Sequence, residues 1–121
     1  MKKVAAVFRP ERLGVIQEAL EAAGFSGFTI ADVRGHGTSP ETRGEYRGQT
    51  YELSVSHKLH IEIIVEDNEV KSVVEAIIKG GRTGKVGDGL VTVSEISEVY
   101  QIRAGFPSAG AVPEEEASVT E

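Results

Sequence analysis

Lys58-Leu59-His60-Ile61-Glu62-Ile63-Ile64-Val65 alternates apolar and polar side chains, with Leu59, Ile61 and Ile63 on one face and Lys58, His60 and Glu62 on the other. A period of two held over this length is that of a half-buried strand. Just beyond it, Asp67 or Asn68 offers a helix cap, and Val70, Val73, Val74, Ile77 and Ile78 keep a helical spacing as far as Gly80-Gly81, where the helix should stop. Leu90-Val91-Thr92-Val93 then supplies another strand, and residues 99–103 a shorter extended piece. Upstream the same alternation of elements recurs. Residues 3–8 form a short buried strand that stops at Arg9-Pro10, since proline suits the first turn of a helix. A helix over 10–23 follows, with Leu13, Ile16, Leu20 and Ala23 on one face and Gly24 as its left-handed cap. Residues 27–33, with Phe28 and Ile30 on one side and Thr29, Ala31 and Val33 on the other, make the second strand.

Between that strand and Lys58 lies a segment from 35 to about 56 with four glycines, one proline and no sustained hydrophobic period. It reads as a long loop, and loops of about twenty residues inside compact domains are usually functional. The order is strand, helix, strand, loop, strand, helix, strand. This is the βαββαβ ferredoxin-like plan of the α+β class, with two helices on one face of a four-stranded antiparallel sheet. The other face carries Thr29, Lys58, His60 and Glu62 and is only partly apolar, which points to a neighbouring subunit covering it.

The 121 residues suit one domain, over 1–105, followed by a tail at 106–121 with Glu114-Glu115-Glu116 that reads as disordered and acidic. Nineteen acidic against thirteen basic residues leave a net charge of −6, which argues against nucleic acid as partner. Without cysteine there is no disulfide, thiolate metal site or thiol nucleophile. His36, His57 and His60 lack compact metal-ligand spacing, so no metal is expected. The apolar run at the start ends at Arg9, too short for a signal peptide or a membrane span, and a cytoplasmic location is the default. No nucleophile-base pair is evident. Glu62 and Asp88 are the carboxylates that a slow nucleotide hydrolase would need, and an assembly protein with no ligand is a third reading.

The chemistry concentrates in Thr83-Gly84-Lys85-Val86-Gly87-Asp88-Gly89. Glycines there can turn successive amides toward one anion, such as a phosphate. They serve an ordinary turn between helix and strand equally well. The spacing is neither that of the phosphate loop nor that of the dinucleotide fingerprint.

Taken with Met1-Lys2-Lys3, Gly35-His36-Gly37, Tyr46-Arg47-Gly48, Tyr51, Ile61-Glu62-Ile63 and Arg103, this segment resembles the PII signalling superfamily from Met1 to about Gly105. The resemblance implies a homotrimer that regulates without catalysis. Adenine nucleotides would bind in clefts between subunits, and the long loop, the family's T-loop, about 37–56, would dock on a target protein. Gly35, Gly37, Ile64, Gly87, Asp88 and Gly89 would line one wall of the cleft. Gly27, Phe28, Thr29 and Arg103 would come from the neighbour, with Thr29 reading the adenine edge and Arg103 meeting phosphate. Tyr51 matches a tyrosine that some members modify, and equally suits a target interface.

Three departures matter. The family's usual lysine after the glycine segment is Leu90 here, and one of its two late arginines is Gln101. At about 1.5–3 kcal/mol per charge-assisted contact, both losses together remove roughly 3–6 kcal/mol, or two to four orders of magnitude in affinity for a triphosphate. ADP or AMP is therefore expected rather than ATP, with cyclic AMP a further fit. Third, the glutamine that completes a magnesium and 2-oxoglutarate site is Ser39 here, although Lys58 matches the residue that meets the oxoacid. Ser39 and Lys58 would then serve a smaller anion such as bicarbonate. The resemblance is to a divergent branch associated with bicarbonate transport and carboxysomes. Conventional nitrogen regulation by ATP, ADP and 2-oxoglutarate is the alternative.

Overall fold

A computed structural model describes residues 1–36, 43–46, 49–52 and 55–105. Its elements are β1 (Lys2–Phe8), α1 (Leu13–Ala22), β2 (Thr29–His36), β3 (Arg43–Tyr46), β4 (Gln49–Glu52), β5 (Val55–Val65), α2 (Val70–Gly81) and β6 (Gly89–Glu95). The main sheet has the order β2-β5-β1-β6 and every pairing in it is antiparallel. With two helices on one face, this is the ferredoxin-like arrangement.

Alternation explains which residues form the core. On β1 the buried positions are Val4, Ala6 and Phe8, opposite Ile63, Ile61 and Leu59 of β5. Ile16 and Leu20 of α1 and Val73, Ala76 and Ile77 of α2 close over them. Among the described residues no polar or charged side chain is buried. The opposite face carries Thr29, Lys58, His60 and Glu62, as the pairing of Thr29 with Glu62 and the period of two require. Glu62 lies 4.0 Å from Lys3 Nζ and 3.7 Å from His60 Nε2 there.

Helix ends show where local signals were read well and where packing overrode them. A 3-10 turn at Pro10–Arg12 leads into α1, so the helix proper starts later than residue 10. At its other end Gly24 has φ of 95°. The Phe25 amide donates to the Leu20 carbonyl at 2.8 Å and the Gly24 amide to that of Glu21 at 3.0 Å. These two bonds are the Schellman stop, and Phe25 adds its apolar contact against the core. Ala23, placed on the inner face by its spacing, is exposed because the chain has already left the helix.

Helix α2 is entered through a 3-10 turn capped by Glu66, not by Asp67 or Asn68. The Glu66 amide donates to Glu69 Oε1 at 2.9 Å, closing a capping box, while Asp67 pairs with the Met1 amine at 3.2 Å and with Lys2 at 3.4 Å. Ile78 lies at the rim, 49% exposed. The helix does stop at Gly80-Gly81, with Arg82 already extended beyond it, but the two glycines are buried rather than an exposed cap. A Cβ on Gly80 would lie 2.7 Å from Ile16 Cα, so the glycine is there because α1 and α2 touch backbone to backbone.

The segment expected as a long loop over 35 to about 56 is shorter than that. β2 continues to His36, β5 begins at Val55, and between them β3 and β4 pair as a two-stranded ribbon, Arg43 with Glu52 and Tyr46 with Gln49. The extended piece expected at 99–103 is instead a turn over 102–104, with the Gly105 amide donating to the Gln101 carbonyl at 2.9 Å. Ile102 is fully exposed, so among the described residues no packing holds it as a strand. The tail at 106–121 lies outside the described residues.

Candidate functional site

The segment between α2 and β6 is organised by an anion of its own. Asp88 accepts from the Thr83 amide at 2.8 Å, the Gly84 amide at 2.9 Å and the Thr83 hydroxyl, and from Arg9 Nε at 3.0 Å. The amides of Thr83 and Gly84, expected to face a bound phosphate, are thus satisfied by a carboxylate within the loop. These donors, the Thr83 hydroxyl foremost, hold the Asp88 carboxyl well below the usual carboxylate range. Gly84 and Gly87 have φ of 87° and 98°, the left-handed values that let amides converge. Gly89, with φ of 110°, starts β6 so close to β1 that a Cβ would lie 1.8 Å from the Val7 carbonyl oxygen.

Two cations grip the far side of the loop. Arg9 Nη2 donates to the Val86 carbonyl at 2.7 Å, and Lys58 Nζ to the Gly87 carbonyl at 2.5 Å. Gly35 stands behind Lys58, where a Cβ would sit 3.3 Å from Lys58 Cγ. Gly35, Lys58, Gly87, Asp88 and Gly89 are therefore brought to one end of the sheet. Leu90, the next residue, is 61% exposed. It borders an apolar hollow of about 320 Å³ shared with Ile77, Ile78 and Val91.

Ile64 does not join this group. It lies six residues from Lys58 along β5, about 20 Å at ~3.3 Å per residue. There it lines a groove of about 200 Å³ with Gly27, Ser26 and Glu66. Thr29 is exposed nearby on β2, opposite Glu62. Phe28 packs against the core, so it is half-buried rather than presented outward. Arg103 sits in the exposed turn at 102–104. The expected site residues thus fall into two groups at opposite ends of the sheet, Gly35 with the loop and Gly27 with Thr29 and Ile64. The expectation that Ile64 shares a wall with the loop is corrected by the length of β5.

Gly37 and Ser39 lie outside the described residues, and Tyr51 is described only as backbone in β4, paired with Gly44. His57 Nε2 is 2.8 Å from Asp32 Oδ1 on the surface. No group of three metal-ligating side chains occurs among the described residues, and no helix there is long and apolar enough to cross a membrane. Arg9 was missed by the sequence reading, which used it only as the end of a strand. Its signal appears once β1 and β6 are paired, because setting Phe8 opposite Gly89 puts Arg9 beside Asp88.

The fold and the loop define a small ferredoxin-like protein with a glycine-rich loop, organised around Asp88, at one end of its sheet. The family described as "Nitrogen regulatory protein P-II" matches residues 1–106. Over 112 residues the chain is 43% identical to nitrogen regulatory protein P-II 2 of Methanothermobacter thermautotrophicus, covering 93% of this chain and 97% of that one. It is also 43% identical to nitrogen regulatory protein P-II of Microchaete diplosiphon and 42% identical to that of Nostoc punctiforme, in both covering 93% of this chain and all of the relative. The chain belongs to the PII family of signal-transduction regulators.

Proposed function

We propose that this protein is a homotrimeric PII regulator that binds ADP or AMP in preference to ATP. Each site joins the two half-sites of neighbouring subunits: Gly35, Gly87, Asp88 and Gly89 of one, with Gly27, Phe28, Thr29, Ile64 and Arg103 of the next. Their separation by about 20 Å within one chain supports this, because a single nucleotide cannot touch both in the same subunit. The observation that carries the phosphate preference is Leu90. The residue directly after the loop is an exposed hydrocarbon where the family resemblance places a lysine. Gln101 removes a second cation in the same way.

Gly37 and the ribbon of β3 and β4, with Tyr51 in it, belong to the segment that docks on a target protein. Lys58, with Ser39, would hold a small anion such as bicarbonate, and the protein would then act in inorganic-carbon transport or metabolism, with a transporter, an enzyme or a carboxysome component as target. The names of the relatives favour a second reading, nitrogen regulation through ATP, ADP and 2-oxoglutarate, since similarity extends over nearly the whole chain.

Titration calorimetry with ATP, ADP, AMP and cyclic AMP, each with and without bicarbonate or 2-oxoglutarate, separates these. Tighter binding of ADP or AMP than of ATP, with the nucleotide recovered unchanged, is the expected result. Tighter ATP binding that requires magnesium and 2-oxoglutarate would replace the first reading by the second.

A further inference from the structure

Arg9, just past the end of β1, and Lys58 on β5 hold two successive carbonyls of the loop, those of Val86 and Gly87. A trans peptide is planar, with its C=O and N–H pointing in opposite directions. Fixing the Val86 carbonyl toward Arg9 therefore aims the Gly87 N–H away from it. Fixing the Gly87 carbonyl toward Lys58 likewise aims the Asp88 N–H away from Lys58. Gly87, at φ of 98°, permits the turn between the two peptides. Arg9 also grips Asp88, which in turn holds Thr83 and Gly84, so one guanidinium fixes the loop at two points. Its fork is suited to that, because a lysine ammonium is a compact point charge and cannot present two donors in a fixed plane.

We propose that Arg9 is a positioning residue of the ligand site. Through the Val86 carbonyl and Asp88 it orients the Val86–Gly87 peptide so that the Gly87 amide meets a phosphate group. This rests on the nucleotide reading above, and the test distinguishes the two. Arg9→Met and Arg9→Lys are compared with the unaltered protein by calorimetry with ADP and with adenosine, and the Gly87 amide resonance is followed during each titration. ADP affinity should fall about tenfold in Arg9→Met, the size of one lost charge-assisted contact, and by less in Arg9→Lys. Adenosine affinity should stay within about twofold of the unaltered protein in both variants, since adenosine has no phosphate for the oriented amide to meet. The Gly87 resonance should respond to ADP in the unaltered protein and lose that response in Arg9→Met. An equal loss for adenosine and ADP would make Arg9 merely structural, and an unchanged ADP affinity would remove its role; either overturns the proposal. If the unaltered protein binds no ADP, the nucleotide reading falls. The positioning role is then decided by inorganic pyrophosphate. A Gly87 shift present in the unaltered protein and absent in Arg9→Met supports it, and any other pattern overturns it.

Discussion

Replacing Gly80 by alanine tests whether the backbone contact between α1 and α2 sets the packing of the whole helical layer. The new Cβ would lie 2.7 Å from Ile16 Cα, 2.8 Å from Ile16 N and 3.0 Å from its Cγ1. Two of these atoms are backbone, so no rotamer change relieves them, and the helices must part by about 0.8 Å to restore ordinary contact near 3.5 Å. Overpacking of this kind costs about 1–3 kcal/mol, and forced backbone movement puts Gly80→Ala near the upper end. Alanine returns about 1 kcal/mol of helix propensity, which leaves a net loss of about 2 kcal/mol. An unfolding entropy near 2.1 cal/mol/K per residue over this length converts that to a fall in Tm of about 8 °C. Gly14→Ala is the matched control, because it lies in α1 with nothing within 4 Å of its Cβ position. It should gain about 0.5 kcal/mol, or roughly 2 °C. Thermal and urea unfolding at one fixed protomer concentration measure both, since assembly would otherwise shift the midpoints. If Gly80→Ala raises Tm alongside Gly14→Ala, the helices have slack at this crossing and the close-approach argument fails.

Gly89→Ala should prevent the first pairing of β6 with β1, because both the φ of 110° and the 1.8 Å approach to the Val7 carbonyl oxygen forbid a side chain; loss of protection of the Gly89 region in hydrogen exchange is the readout. Asp88 has a folded pKa lowered from its ordinary value, so its contribution is fully present above the unfolded value near ~3.9 and is lost as pH falls through the lower folded value. The Thr83 and Gly84 amide resonances should therefore hold steady from neutral pH to about pH 4 and move only below it, and movement between pH 5 and 7 would contradict the ion-organised loop. Leu90→Lys combined with Gln101→Arg should raise affinity for ATP by about two orders of magnitude or more while changing that for AMP little; calorimetry showing equal gains for both would separate these positions from the outer phosphates.

What the sequence revealed was whatever depends on a short period. The alternation at 58–65 and the helical spacing at 70–77 appear directly as buried Leu59, Ile61 and Ile63 and as the inner face of α2. Signals that depend on a distant partner were misread. Gly80-Gly81 does end its helix, but the reason Gly80 must be glycine is Ile16 on another helix, which no local pattern shows. Asp67 has the chemistry of a cap, but the Met1 amine and Lys2 take its carboxylate and leave the cap to Glu66. At 99–103 the apolar residues suggested a strand, yet among the described residues they pair with neither open edge of the sheet, β2 or β6. The site follows the same division. Its glycines are visible as letters, whereas the grip of Arg9 and Lys58 exists only once β1 is registered against β5 and β6.

That register also changes what the glycine segment is for. A loop that depended on a bound phosphate to gather its amides would have no reason to keep an aspartate among them, since two anions would compete for the same donors. Here Asp88 supplies the organising charge from within, on the Thr83 and Gly84 amides, and Arg9 compensates it. The loop is consequently shaped before any ligand arrives, which lowers the ordering penalty of binding. A prearranged loop also makes the substitutions after it more telling. If the loop binds a nucleotide as proposed, with the amide geometry fixed by Arg9, Lys58 and Asp88, the number of phosphates preferred would fall to the side chains just outside, and Leu90 and Gln101 bring no positive charge there.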